Sequence, residues 1–153
     1  MSPGARSIYP GGLGRDSMPR PILIIEDDPD IAEVLRYGLE TRRFETRVAI
    51  TGREGLSASM DKERPPLLIL LDLLLPEMNG LEVCRRIRRE PSTAGIPIIM
   101  VTAKSSEADF QNAKAAGVND YVTKPFSVVK VIERITTLLA LAEVAANSRT
   151  SGT

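Results

Sequence analysis

Pro21-Ile22-Leu23-Ile24-Ile25-Glu26-Asp27-Asp28-Pro29, residues 21–29, changes character in a single step: four apolar side chains give way to three acids. A short continuous apolar run reads as a strand buried on both faces, and the acids as the loop at its carboxyl end. Pro29 suits the first position of a helix, with Asp28 as its N-cap. Ile31, Val34, Leu35 and Leu39 then recur at helical spacing. The same form returns at Leu67-Leu68-Ile69-Leu70-Leu71-Asp72, a central strand ending in an acid.

Between and beyond these two runs the alternation continues. Phe44, Thr46 and Val48 alternate as a second strand, and Thr51-Gly52-Arg53-Glu54 has capping-box form. Gly55 and Ser57 make the helix after it a weak one. Asn79-Gly80-Leu81-Glu82 opens a third helix with Leu81, Cys84 and Ile87 inward. Ile96–Val101 is a fourth strand ending at Thr102. Ser106 caps a fourth helix that stops at Gly117, and Tyr121-Val122 forms a fifth strand before Lys124-Pro125. Ser127 opens a last helix whose stripe runs from Val128 through Val131, Ile135 and Leu139 to Ala142. Five strands alternating with five helices imply an α/β fold: a doubly wound parallel sheet, order 2-1-3-4-5. The expected organisation is an N-terminal extension over 1–19, rich in Gly and Pro, one domain over 20–142, and a C-terminal tail over 143–153.

Composition narrows the chemistry. The 153 residues carry 20 Lys plus Arg against 20 Asp plus Glu, so binding nucleic acid through bulk charge is not expected. Histidine is absent, which removes Ser-His-Asp triads, HExxH zinc sites and any phosphohistidine on this chain. The single Cys84 forms no internal disulfide and suits a reducing compartment. No apolar run approaches the roughly 18 residues of a membrane helix, and the N-terminus has no apolar signal core. The expected setting is cytoplasmic.

In such a sheet, sites form at the carboxyl ends of strands beside the switch point. Strand one delivers Glu26 and Asp27, strand three Asp72, strand four Thr102 and strand five Lys124. Carboxylates crowded in one crevice raise at least one pKa unless a hard cation compensates them. The cluster predicts Mg²⁺ and suggests a phosphoryl group, with Asp72 as the nucleophile. Lys124 would supply a cation to one phosphoryl oxygen and the Thr102 hydroxyl a hydrogen bond to another.

These motifs resemble the receiver domain of two-component response regulators. The matching stretches are Ile24-Ile25-Glu26-Asp27-Asp28-Pro29, Leu70–Gly80 around Asp72, Val101-Thr102-Ala103, and Asp120-Tyr121-Val122-Thr123-Lys124-Pro125-Phe126. The resemblance covers about Pro21 to Leu141 and implies a flavodoxin-like (βα)5 fold. It implies Asp72 as phosphoacceptor, with Mg²⁺ held by Glu26, Asp27, Asp72 and the Leu74 carbonyl. Thr102 and Lys124 would contact the phosphoryl group, Thr102 and Tyr121 would form the switch, and Lys124–Pro125 would be cis.

The function so implied is a stand-alone phosphoprotein switch, not an enzyme beyond self-phosphorylation from small donors and autodephosphorylation. A sensor histidine kinase or phosphotransfer protein would be the donor. A protein partner would read the face of the fourth helix, fifth strand and fifth helix, with the chain a monomer or weak homodimer. Asp120 and Arg134 match part of a charged dimer network known in one subfamily. Phe110 stands where that network has a basic residue, and is expected to form an apolar docking patch. One alternative is a receiver-like module that docks partners without phosphorylation. A magnesium-dependent phosphatase with an Asp nucleophile fits less well, because its usual second Asp is replaced by Leu74. Arg85, Arg86, Arg88 and Arg89 read as a solvated basic face.

Overall fold

The computed structural model describes residues 19–151, with side chains described through Ser148. Of the expected N-terminal extension, residues 1–18 lie outside the described residues. The elements are β1 (Ile22–Ile25), α1 (Pro29–Thr41), β2 (Thr46–Ala49), α2 (Gly52–Ser59), β3 (Leu68–Leu71), α3 (Gly80–Arg89), β4 (Ile98–Thr102), α4 (Glu107–Ala116), β5 (Asp120–Thr123) and α5 (Val128–Ser151). All strand pairs are parallel and the order is β2-β1-β3-β4-β5, as the alternating pattern predicts.

The pleat divides the core in two. Ile22, Ile24, Leu68, Leu70, Ile99 and Val101 face α1 and α5, where they meet Leu35, Leu39, Val131 and Ile135. Leu23, Ile25, Ile69, Leu71, Ile98 and Met100 face the other layer, against Val83, Cys84, Ile87 and Ala113. Every β1, β3 and β4 residue is buried, and each fully buried Leu or Ile contributes about 1.5–3 kcal/mol. Helix starts follow the capping residues. Asp28 accepts from the Asp30 and Ile31 N–H groups, Thr51 from Glu54, and Asn79 from Glu82, while Ser106 and Asp109 cap each other reciprocally.

Several local expectations change. The alternation of Phe44, Thr46 and Val48 does not mark one buried face: Phe44 is buried before β2 begins, Thr46 is half-buried and Val48 is exposed. β2 is an edge strand, and its inward anchor is Ala49. Val34 lies on the exposed flank of α1 rather than in its stripe. β4 starts at Ile98, two residues later than expected, and Pro97, which has no N–H to give a ladder, contributes its carbonyl to the Ile69 N–H. Gly55 does not weaken α2 without return: a Cβ there would overlap Ile25 Cδ1, so glycine lets the helix approach the sheet. The segment expected as a tail from 143 continues α5 unbroken to Ser151, with Leu141 and Val144 exposed on it. Among the described residues, no helix is long and apolar enough to cross a membrane.

Candidate functional site

Strand register assembles the acids. Ile25 of β1 pairs with Leu71 of β3, so the residues that follow, Glu26 and Asp72, leave the sheet side by side. The Asp72 N–H donates to the Ile25 carbonyl (3.1 Å), extending the ladder one step into the loop. Glu26 and Asp72 are buried and Asp27 is exposed, and one carboxylate oxygen from each lies within 4.8 Å of the others. Three hard oxygen donors at that spacing, one facing solvent, fit a small divalent cation such as Mg²⁺.

Lys124 enters the same crevice from the end of β5. Its Nζ donates to Glu26 Oε1 (2.8 Å) and Asp72 Oδ2 (2.8 Å). The lysine thus neutralises part of the crowding that the sequence assigns wholly to a metal. Burial nevertheless pushes Glu26 up to about 7, against the lowering effect of Lys124 and of the Asp28 N–H on Oε2. Burial also pulls on Lys124, but its bonds to Asp72 and Glu26 prevail and hold its pKa above the ordinary lysine value. The Lys124–Pro125 peptide is cis, as the resemblance implies.

The other expected residues sit around this centre. The Leu74 N–H donates to Asp72 Oδ1 (3.1 Å), while its side chain is half exposed. Thr102, fully buried at the end of β4, accepts the Lys104 N–H on its hydroxyl (3.4 Å). The Tyr121 hydroxyl donates to the Lys104 carbonyl (2.6 Å). Both expected switch residues therefore hold one loop residue, Lys104, through its backbone. Phe110 is exposed at the surface and its ring lies 5.7 Å from that of Tyr121, at 57°. Asp120 and Arg134 pair within this chain (3.1 Å).

Cys84 is buried, donates to the Ala116 carbonyl, and is pushed up by burial, as suits a packing residue and not a nucleophile. Arg85, Arg86 and Arg89 are exposed around Glu82, as expected of a solvated face. Arg88 departs from that expectation and turns inward, donating to four acceptors. Its position four residues after Cys84 is the signal that places it on the buried side.

Residues 22–136 match the family model described as response regulator receiver domain. The phosphate regulon transcriptional regulatory protein PhoB of Rhizobium meliloti is 38% identical over 122 residues, covering 80% of this chain and 53% of that protein. The chain spans about half the length of the curated relatives it matches. Among solved structures, a response regulator receiver domain protein (CheY-like) from Methanospirillum hungatei is similar at TM-score 0.76 and 30% identity, over 84% of this chain and 99% of that one. The receiver domain of the sensor histidine kinase PA1611 from Pseudomonas aeruginosa is similar at TM-score 0.71 and 27% identity, over 80% of this chain and 99% of that one. That structure has a magnesium ion coordinated in the active-site cleft.

Proposed function

Because the chain belongs to the response-regulator receiver-domain family, whose members are signalling switches, we propose that phosphorylation of Asp72 is its input. The observation that carries this reading is the convergence of Glu26, Asp27 and Asp72, with Lys124 bridging two of them. Glu26, Asp27, Asp72 and the Leu74 carbonyl would hold Mg²⁺. Once bound, the ion offsets negative charge on the acids and on the phosphoryl oxygens.

Asp72 Oδ attacks the phosphorus of a phosphohistidine on a kinase or phosphotransfer protein. The O–P bond forms as the P–N bond breaks, and the imidazole nitrogen leaves with its electron pair and takes up a proton. Lys124 exchanges carboxylate partners for a phosphoryl oxygen without leaving the crevice. A cleft of about 510 Å³ beside Lys124, lined by Ile31, Val34, Pro125 and Phe126, supports a protein donor. Thr102 turns its hydroxyl toward the new group, which releases the Lys104 N–H, and Tyr121 responds through the same residue. The face of α4, β5 and α5 then changes, and Phe110 makes it apolar enough to dock a protein. The domain itself is taken as 20–142, with phosphorylation as its chemistry and no separate substrate.

The test is incubation with acetyl phosphate and Mg²⁺ followed by intact mass measurement. A labile adduct of one phosphoryl group is expected, absent in Asp72→Asn and in chelator. Acetyl phosphate does not serve every receiver, so a phosphohistidine donor is the second arm. No adduct from either source overturns the reading.

A further inference from the structure

Arg88 ties three segments together. Its Nε donates to the Gly117 carbonyl (3.0 Å), Nη1 to those of Ala94 (3.0 Å) and Ile96 (2.7 Å), and Nη2 to Asn119 Oδ1 (2.8 Å). Asn119 Oδ1 also accepts the Ile98 N–H, and the Asn119 N–H donates to the Ile98 carbonyl, both at 2.8 Å. One turn earlier on α3, Cys84 Sγ donates to the Ala116 carbonyl (3.2 Å). Two successive carbonyls at the C-terminal end of α4 are thus held from α3. A guanidinium placed there also faces the negative end of the helix dipole.

The other end of α4 is held differently. Its buried residues, Ala113 and Ala116, both lie in the C-terminal half. Glu107, Ala108, Phe110 and Gln111 are exposed, and the Ser106–Asp109 cap is internal to the segment. What reaches this end from the sheet is Tyr121, through its ring against Phe110 and its hydroxyl on the Lys104 carbonyl, and Thr102, whose hydroxyl accepts the Lys104 N–H. A ten-residue helix is a lever of about 15 Å, fixed at one end and touched by the switch near the other.

We infer that Arg88 is a positioning residue of the switch: it pins the C-terminal end of α4, so that movement at Tyr121 and Lys104 becomes a swing of the helix's N-terminal half about Gly117. The inference rests on Asp72 being the phosphoacceptor. It goes beyond the acid site, since Arg88 touches neither acid nor lysine there.

Hydrogen exchange along α4, with and without beryllofluoride and Mg²⁺ as a stable mimic of the phosphorylated state, tests it in the full chain. Fluorine NMR reports whether the adduct forms. In the wild type, the adduct should change exchange several-fold at 107–111 and leave 114–117 unaltered. In Arg88→Met, the adduct-dependent change should spread into 114–117 and shrink at 107–111. Arg88→Lys, with one ammonium for four acceptors, should fall between, and carries the comparison if Arg88→Met does not fold. A merely structural arginine would speed exchange at 114–117 equally with and without the adduct, which overturns the inference. No adduct in any protein instead strikes the Asp72 reading, and this inference with it.

Discussion

Lys124 Nζ lies 2.8 Å from Glu26 Oε1 and 2.8 Å from Asp72 Oδ2, so the crevice already contains a cation of its own. Any divalent ion entering among Glu26, Asp27 and Asp72 meets that charge. Replacing it with a neutral stem of similar length removes the repulsion. Lys124→Met should therefore bind Mg²⁺ more tightly, by on the order of tenfold or more, the scale of the repulsion between a divalent and a single positive charge a few ångströms apart even in water. Isothermal titration well above pH 7, where Glu26 is ionised, checks this; equal or weaker binding there would show that the lysine does not compete with the ion. The same variant should accept a phosphoryl group more slowly, because the cation for the transferred oxygens is gone.

Glu26 gives a pH signature. Its pKa of about 7 in the fold stands above its ordinary value of 4.5. Between those two values the folded chain holds more protons than the unfolded one, so stability falls as pH rises, and the contribution levels off above about 7. Glu26→Gln should lose this slope. Above about pH 7 the variant lacks one acceptor of the ionised carboxylate, while below it the amide matches the protonated acid, so the diagnostic is the shape of the curve and not its level. Thermal midpoints in chelator from pH 5 to 8 measure it. Parallel curves for the two proteins would contradict the burial argument. Added Mg²⁺ should stabilise the wild type more at pH 8 than at pH 6, where the proton occupies Glu26.

The acids were legible in the sequence because a strand buried on both faces has no polar alternation to confuse its end. Ile22–Ile25 and Leu68–Leu71 mark where Glu26 and Asp72 must emerge. Thr102 and Lys124 were legible only jointly, through the order of strands. Lys104 was not legible, since its part is played by backbone N–H and carbonyl groups that every residue possesses. Arg88 was masked by its neighbours in a basic run, although its helical spacing from Cys84 sets it apart. Val48 misled because alternation on an edge strand does not guarantee that every inward position is covered.

The shared hold on Lys104 predicts a measurable loosening. Tyr121→Phe keeps the ring against Phe110 and deletes the hydroxyl that donates to the Lys104 carbonyl. A hydrogen bond of this kind contributes about 0.5–1.5 kcal/mol, which corresponds to roughly two- to tenfold faster amide exchange in the loop. The increase should be confined to 103–106, with the acid crevice and adduct formation at Asp72 unchanged. Exchange that stays at the wild-type rate would mean that Thr102 alone holds the loop.

Gly80 connects stability to the site most directly. It opens α3 after the Asn79 cap, and its N–H donates to the Leu73 carbonyl (2.8 Å). A Cβ there would overlap the Asp72 carbonyl oxygen and lie 2.9 Å from Leu73 Cα. Both obstacles are backbone, so neither can swing aside as a side chain would. Gly80→Ala must push α3 away or shift the strand end that carries Asp72. The expected cost is roughly 1–3 kcal/mol, the range of overpacking in a close-packed interior. Because the displaced atoms are those of Asp72 and Leu73, adduct formation should slow in the fraction that remains folded. Cys84→Ala is the control, since it removes a buried group from the same helix without touching the Asp72 backbone. Denaturant unfolding alongside phosphorylation rates separates the two effects. Equal loss of stability in both variants, with slow phosphorylation only in Gly80→Ala, is the outcome that ties this glycine to the placement of Asp72.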